Sequence, residues 1–181
     1  MKNTVKNADL IIFFTAEDDK NNSFVAWAGA CLMHRTTMRP IVGRVNFNLY
    51  YVNDKKNHFY DNYSTTLHEI YHIMGFTKYL YQFYIDPVTF KRKVASDTYF
   101  VDEKGPHPHL LRSPLLLAYA KEHFNCNSLK GVPIEDEGTA GSLGSHWEKT
   151  IFGNELMVAI RSARRAVSRF TFKLFEDSGW Y

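Results

Sequence analysis

The stretch Leu67-His68-Glu69-Ile70-Tyr71-His72-Ile73-Met74-Gly75-Phe76 decides how the chain is read. It has the form H-E-x-x-H-x-x-G, two histidines four residues apart with a glutamate directly after the first. On a helix of 3.6 residues per turn, His68 and His72 fall on one face, one turn apart. Two imidazoles so placed can reach one zinc ion, and Glu69 beside them can take a proton from a water that the ion polarises. The flanking residues fit a helix. Asp61 or Ser64 can cap its start, no proline interrupts it, and Leu67, Ile70, Tyr71 and Met74 form an apolar side. Gly75 suits the left-handed residue that ends a helix, with Phe76 as the apolar residue after it. By composition, H-E-x-x-H arises by chance in roughly one or two chains per hundred of this length, and the added glycine lowers that about twentyfold.

Around this stretch lie 181 residues, 45% hydrophobic and 15% aromatic, enough for a globular domain with a sizeable core. A charge of +3, from 22 basic and 19 acidic residues, gives no reason to expect nucleic acid as a partner. Arg161, Arg164, Arg165 and Arg169 are spaced to line one side of a helix, read as a solvated face because no nucleic-acid motif accompanies them. Cys31 and Cys126 form no C-x-x-C site, and their pairing is left open. Asn21-Asn22-Ser23 and Asn62-Tyr63-Ser64 have the form of N-glycosylation acceptors. The polar start and the lack of any apolar run near 18 residues predict neither a signal peptide nor a membrane span within this chain.

In chain order, Leu10 to Thr15 reads as a strand buried on both faces, and Val25 to Met33 as a segment lying on the core. Ile41 to Asn48 alternates apolar with polar, as a half-buried strand does, with Gly43 permitting close approach of another backbone. Thr77 to Val101 suits short strands or irregular structure, and Asp86-Pro87 a turn. Ser113-Pro114 is a helix start, with an apolar helical pattern to His123. Gly131 to Gly144 reads as a loop, and Ala166 to Glu176 as a helix stopped by Asp177-Ser178-Gly179. The order predicts an α/β (α+β) fold. A twisted mixed sheet and the zinc helix make one subdomain, residues 1–76, and a less regular part follows, residues 77–181.

A catalytic zinc takes three protein ligands and keeps one open position. In the compact pattern H-E-x-x-H-x-x-G-x-x-H the third histidine would stand where this chain has Lys78, and lysine is no ligand at neutral pH. The third ligand therefore comes from elsewhere. His146 follows a glycine-rich loop, with Met157 eleven residues on, at a distance that suits a turn beneath a metal. His107-Pro108-His109 is the second candidate, and spacing alone does not decide between them.

Four stretches resemble the leishmanolysin-like metallopeptidases, a metzincin branch. They are Arg39 to Asn48, His68 to Phe76, Gly144 to Lys149 continued through Glu155-Leu156-Met157, and Leu174 to Tyr181. The resemblance implies a zinc-dependent metalloendopeptidase acting on proteins or peptides, with one Zn2+ per chain. By it, His68, His72 and His146 are zinc ligands, Glu69 is the general base and Met157 is the methionine of the Met-turn. The strand holding Gly43 and Val45 would be the edge against which substrate adds. The family also implies an extracellular or cell-surface location, with membrane association through segments outside this chain. Its association with cell adhesion leaves a catalytically silent binding module as the other reading.

Overall fold

The computed structural model describes residues 5–52, 58–101, 108–138 and 141–181. The chain is mixed α/β and divides into two compact units, Met1–Met74 and Gly75–Tyr181. No helix among the described residues is long and apolar enough to cross a membrane.

Among the described residues, the first unit is a three-stranded sheet and one helix. The strands are β1 (Ile11–Glu17), β2 (Ala26–Met33) and β3 (Pro40–Asn48), in the spatial order β1-β3-β2. β3 pairs parallel with β1 and antiparallel with β2. This corrects the edge-strand expectation. Gly43 lies opposite Ile12 on one side and Ala30 on the other, and Val45 opposite Phe14 and Ala28. With neighbours on both sides, β3 has no row of open backbone groups to offer a further strand. Its central place also explains why the polar Asn46 and Asn48 are buried. Asn46 is held by Thr15 and Glu17, and Asn48 by the backbone of Asp19.

β1 also departs from expectation. Phe13 and Phe14 are more than half exposed, because β1 borders the described sheet instead of lying inside it. The segment from Val25 is β2, a regular strand with a register shift at Ala30 to Met33, where Cys31 is exposed.

Helix α1 (Phe59–Met74) starts earlier than either predicted cap and packs across β2 and β3. Its apolar side meets the sheet through Ile73, which is fully buried. Gly43 makes room for it: a Cβ there would stand 2.5 Å from Cγ2 of Ile73. The close approach foreseen at Gly43 is therefore that of a helix side chain, and it sets how deep α1 lies on the sheet. The helix stops at Gly75, whose φ of 146° is open to glycine but lies well beyond the left-handed helical value expected there.

The second unit is less regular. It contains a 3-10 turn (Tyr81–Phe83), α2 (Ala95–Thr98), β4 (Tyr99–Val101), β5 (His109–Leu111), α3 (Pro114–His123), β6 (Val132–Pro133), α4 (Lys149–Phe152) and α5 (Arg169–Ser178). β4, β5 and β6 form a small antiparallel sheet. Trp147 is the hub of the core: its ring meets Phe76 edge to face and stacks on Phe152, with centroids at 4.9 and 4.8 Å. α5 is closed by Gly179 at φ 72°. The arginine row is not a helical face, since Arg161, Arg164 and Arg165 lie in the connection before α5.

Candidate metal centre

α1 carries three of the expected residues. His68 and Glu69 are buried and His72 is half-buried. The two Nε2 atoms face one another at 3.0 Å, with the rings nearly perpendicular. Two nitrogens that share a tetrahedral zinc at about 2.0–2.1 Å each stand roughly 3.3 Å apart. The pair thus has nearly the spacing that one ion would impose, with the same ring atom offered by each residue. Glu69 follows His68 by one helical step, about 100° around the axis, so it is not a third arm of the same face.

His146 belongs to the second unit, and its surroundings there are specific. The residue before it, Ser145, is stitched to the chain just after Gly75. Its Oγ lies 3.2 Å from Oγ1 of Thr77 and accepts the Lys78 N–H at 3.3 Å. Gly144, at φ 73°, lets the loop run against the Lys78 side chain, where a Cβ would come within 3.4 Å. The loop bearing His146 is therefore fastened to Lys78, the position that holds the third histidine in the compact pattern.

The tautomer of His146 follows from its contact. Nδ1 lies 3.1 Å from the carbonyl of Ser142, which can only accept, so Nδ1 carries the proton and Nε2 the lone pair. Burial pushes the His146 pKa down to about 4, and the Arg165 guanidinium acts in the same direction. A neutral imidazole with an oriented lone pair is the form that ligates zinc.

Met157 lies fully buried in the turn that follows Glu155 and Leu156, and its carbonyl accepts the Trp147 N–H at 2.9 Å. The other candidates are placed differently. His107 lies outside the described residues. His109 opens β5, and its Nδ1 is engaged by the Tyr99 hydroxyl. His123 is exposed on α3, packed against Phe124 and Phe170.

One buried group, Glu155, belongs to no ligand motif in the sequence. The Glu155 carboxylate accepts hydrogen bonds from the Met157 N–H, from the N–H and hydroxyl of Ser168 and from the Thr171 hydroxyl. The only signal in the sequence is a charged residue two places before Met157 in the run Glu155-Leu156-Met157-Val158-Ala159.

A helix with this histidine–glutamate–histidine pattern is a form that zinc metallopeptidases share. Comparison with known proteins makes the class specific. The family model described as Leishmanolysin matches residues 1–181. The chain is 31% identical to a leishmanolysin-like peptidase of Drosophila melanogaster, an alignment that covers 98% of this chain and 31% of the relative. A leishmanolysin-like peptidase of Caenorhabditis elegans is 30% identical, over 98% of this chain and 32% of the relative. A leishmanolysin homolog of Crithidia fasciculata is 27% identical, over 98% and 25%. The chain belongs to the leishmanolysin family, which is one of zinc metallopeptidases. It spans about a third of the length of the first of these relatives.

Proposed function

We propose that the chain is the zinc-binding part of a metalloendopeptidase, with His68, His72 and His146 as ligands and Glu69 as general base. The observation that carries this is the pair of Nε2 atoms 3.0 Å apart on a helix that also presents Glu69. The His146 assignment draws support from its oriented, neutral imidazole and from the fastening of its loop to Lys78.

Bound zinc supplies Lewis acidity, which lowers the pKa of a water and polarises the scissile carbonyl. The chain supplies the proton path and the geometry. The Glu69 carboxylate takes a proton from the attacking water and returns it to the leaving amine nitrogen. The Ser142 carbonyl holds Nδ1 of His146 and so aims the other nitrogen. Met157 closes the floor of the loop through its bond to Trp147. An extended substrate adds along the outer side of β2. That strand packs against α1, the helix that carries the histidine pair, and is paired among the described residues with β3 alone, so its other side is an open edge.

The test is Glu69→Gln. The amide keeps the shape and cannot take the proton, so zinc stoichiometry should stay at one per chain while peptide cleavage falls by about 10²–10⁴-fold. Undiminished cleavage would assign the base elsewhere. A parent chain that binds zinc and cleaves nothing would favour the binding-module reading.

A further inference from the structure

Resting on the zinc reading above, we propose that Glu155 is a positioning residue, which fixes the Met157 turn and, through Trp147, the His146 ligand. Its carboxylate is buried, and such a group is costly unless its lone pairs are filled. They are filled from two places in the chain. One oxygen accepts the Met157 N–H. The other accepts the Ser168 N–H and hydroxyl, both at 3.0 Å, and the Thr171 hydroxyl at 2.5 Å.

The bonds form a closed circuit. Thr171 Oγ1 accepts the indole N–H of Trp147 at 2.8 Å, and the Trp147 backbone N–H donates to the Met157 carbonyl at 2.9 Å. Carboxylate, Met157, Trp147 and Thr171 thus hold one another, and Trp147 is covalently next to His146. A second fastening runs alongside, as the Leu156 N–H donates to the Ala166 carbonyl at 2.8 Å. A turn that needed closing and nothing more would be closed by an apolar side chain without desolvating a charge. The carboxylate adds direction. It specifies where the backbone of residue 157 lies, and hence where the Trp147 backbone and the imidazole before it lie. Outer groups that orient a metal ligand in this way are worth about 10–100-fold in metal affinity.

The substitution that separates direction from packing is Glu155→Gln. The amide has the same shape, but in either orientation its NH2 faces a backbone N–H, that of Met157 or that of Ser168. The control is Asp177→Asn, which weakens the second unit at the start of α3, away from this circuit. Each chain is measured for melting temperature, for zinc affinity by chelator competition, and for the visible absorption of its cobalt-loaded form. Glu155→Gln should bind zinc about 10–100-fold more weakly and shift the cobalt bands. Asp177→Asn should lower the melting temperature and leave both metal readouts at the parent's values. Thr171→Val, which cuts the circuit between carboxylate and indole, should follow Glu155→Gln in direction and decides the matter if that variant does not fold. Parent affinity and parent bands in Glu155→Gln, or equal losses in Asp177→Asn, overturn the role of Glu155 alone. A parent chain that takes up no zinc overturns the zinc reading and this role together.

Discussion

His146 shows how far one residue's surroundings determine its chemistry. Its folded pKa is about 4, against an ordinary 6.5, because burial strips the imidazolium of its hydration. The sign of the consequence is fixed. Above about pH 6.5 the ring is neutral in both the folded and unfolded chain and contributes no pH dependence. As the pH falls from there towards about 4, the unfolded chain takes up a proton that the folded chain refuses, so stability drops, by up to about 3 kcal/mol. Denaturant unfolding of the metal-free chain across this range should show that slope, and His146→Gln should flatten it. No change of slope would mean that the ring is hydrated in solution. The sequence made His146 a candidate through its loop and Met157, but the Ser142 carbonyl and the contact of Ser145 with Lys78 depend on the folded loop. Glu155 is silent in the sequence for the same reason: its partners at Ser168 and Thr171 are thirteen and sixteen residues away.

Helix α3 starts where Ser113-Pro114 says it should, yet the cap comes from another element. The Ser113 hydroxyl is buried and makes no hydrogen bond among the described residues, whereas the Asp177 carboxylate on α5 accepts the N–H groups of Leu115 at 3.1 Å and Leu116 at 2.8 Å. A carboxylate at a helix start satisfies open donors and complements the helix dipole. Asp177→Ala should therefore cost about 1–2 kcal/mol, the usual worth of a cap, while Ser113→Ala should cost nothing or stabilise slightly. Thermal melts of the two variants check this, and the reverse order would refute it. Sequence reading finds such boundaries because Pro, Gly and Ser act locally. It placed α1, α3, β3 and α5 within a few residues for that reason. Strand neighbours are not local: periodicity identified β3 as a strand and was silent on its place between β1 and β2. The arginines near 161–169 show the opposite error, as helical spacing occurs in a loop without making a helix.

At the scale of the whole molecule, the proposed zinc ligands run from residue 68 to residue 146, so removing the metal should lower the stability of the chain. With free zinc at a hundred times its dissociation constant, binding stabilises the loaded chain by about 2.7 kcal/mol. Calorimetry with and without a chelator should show a clear fall in melting temperature for the parent and a much smaller one for His146→Ala. An equal fall in both would place the third ligand elsewhere. The sheet that carries α1 has a further consequence, in the order of assembly. β3 is the last of its strands in sequence and the middle one in space. Its pairing with β2 closes across the short connection 34–39, while its pairing with β1 joins residues 31 apart, as Thr15 and Asn46 are. Short loops close at a lower entropic cost, and a parallel pair cannot be made by a tight turn. The β2–β3 hairpin is thus expected to form first and to receive Ile73 of α1, with β1 expected to join last.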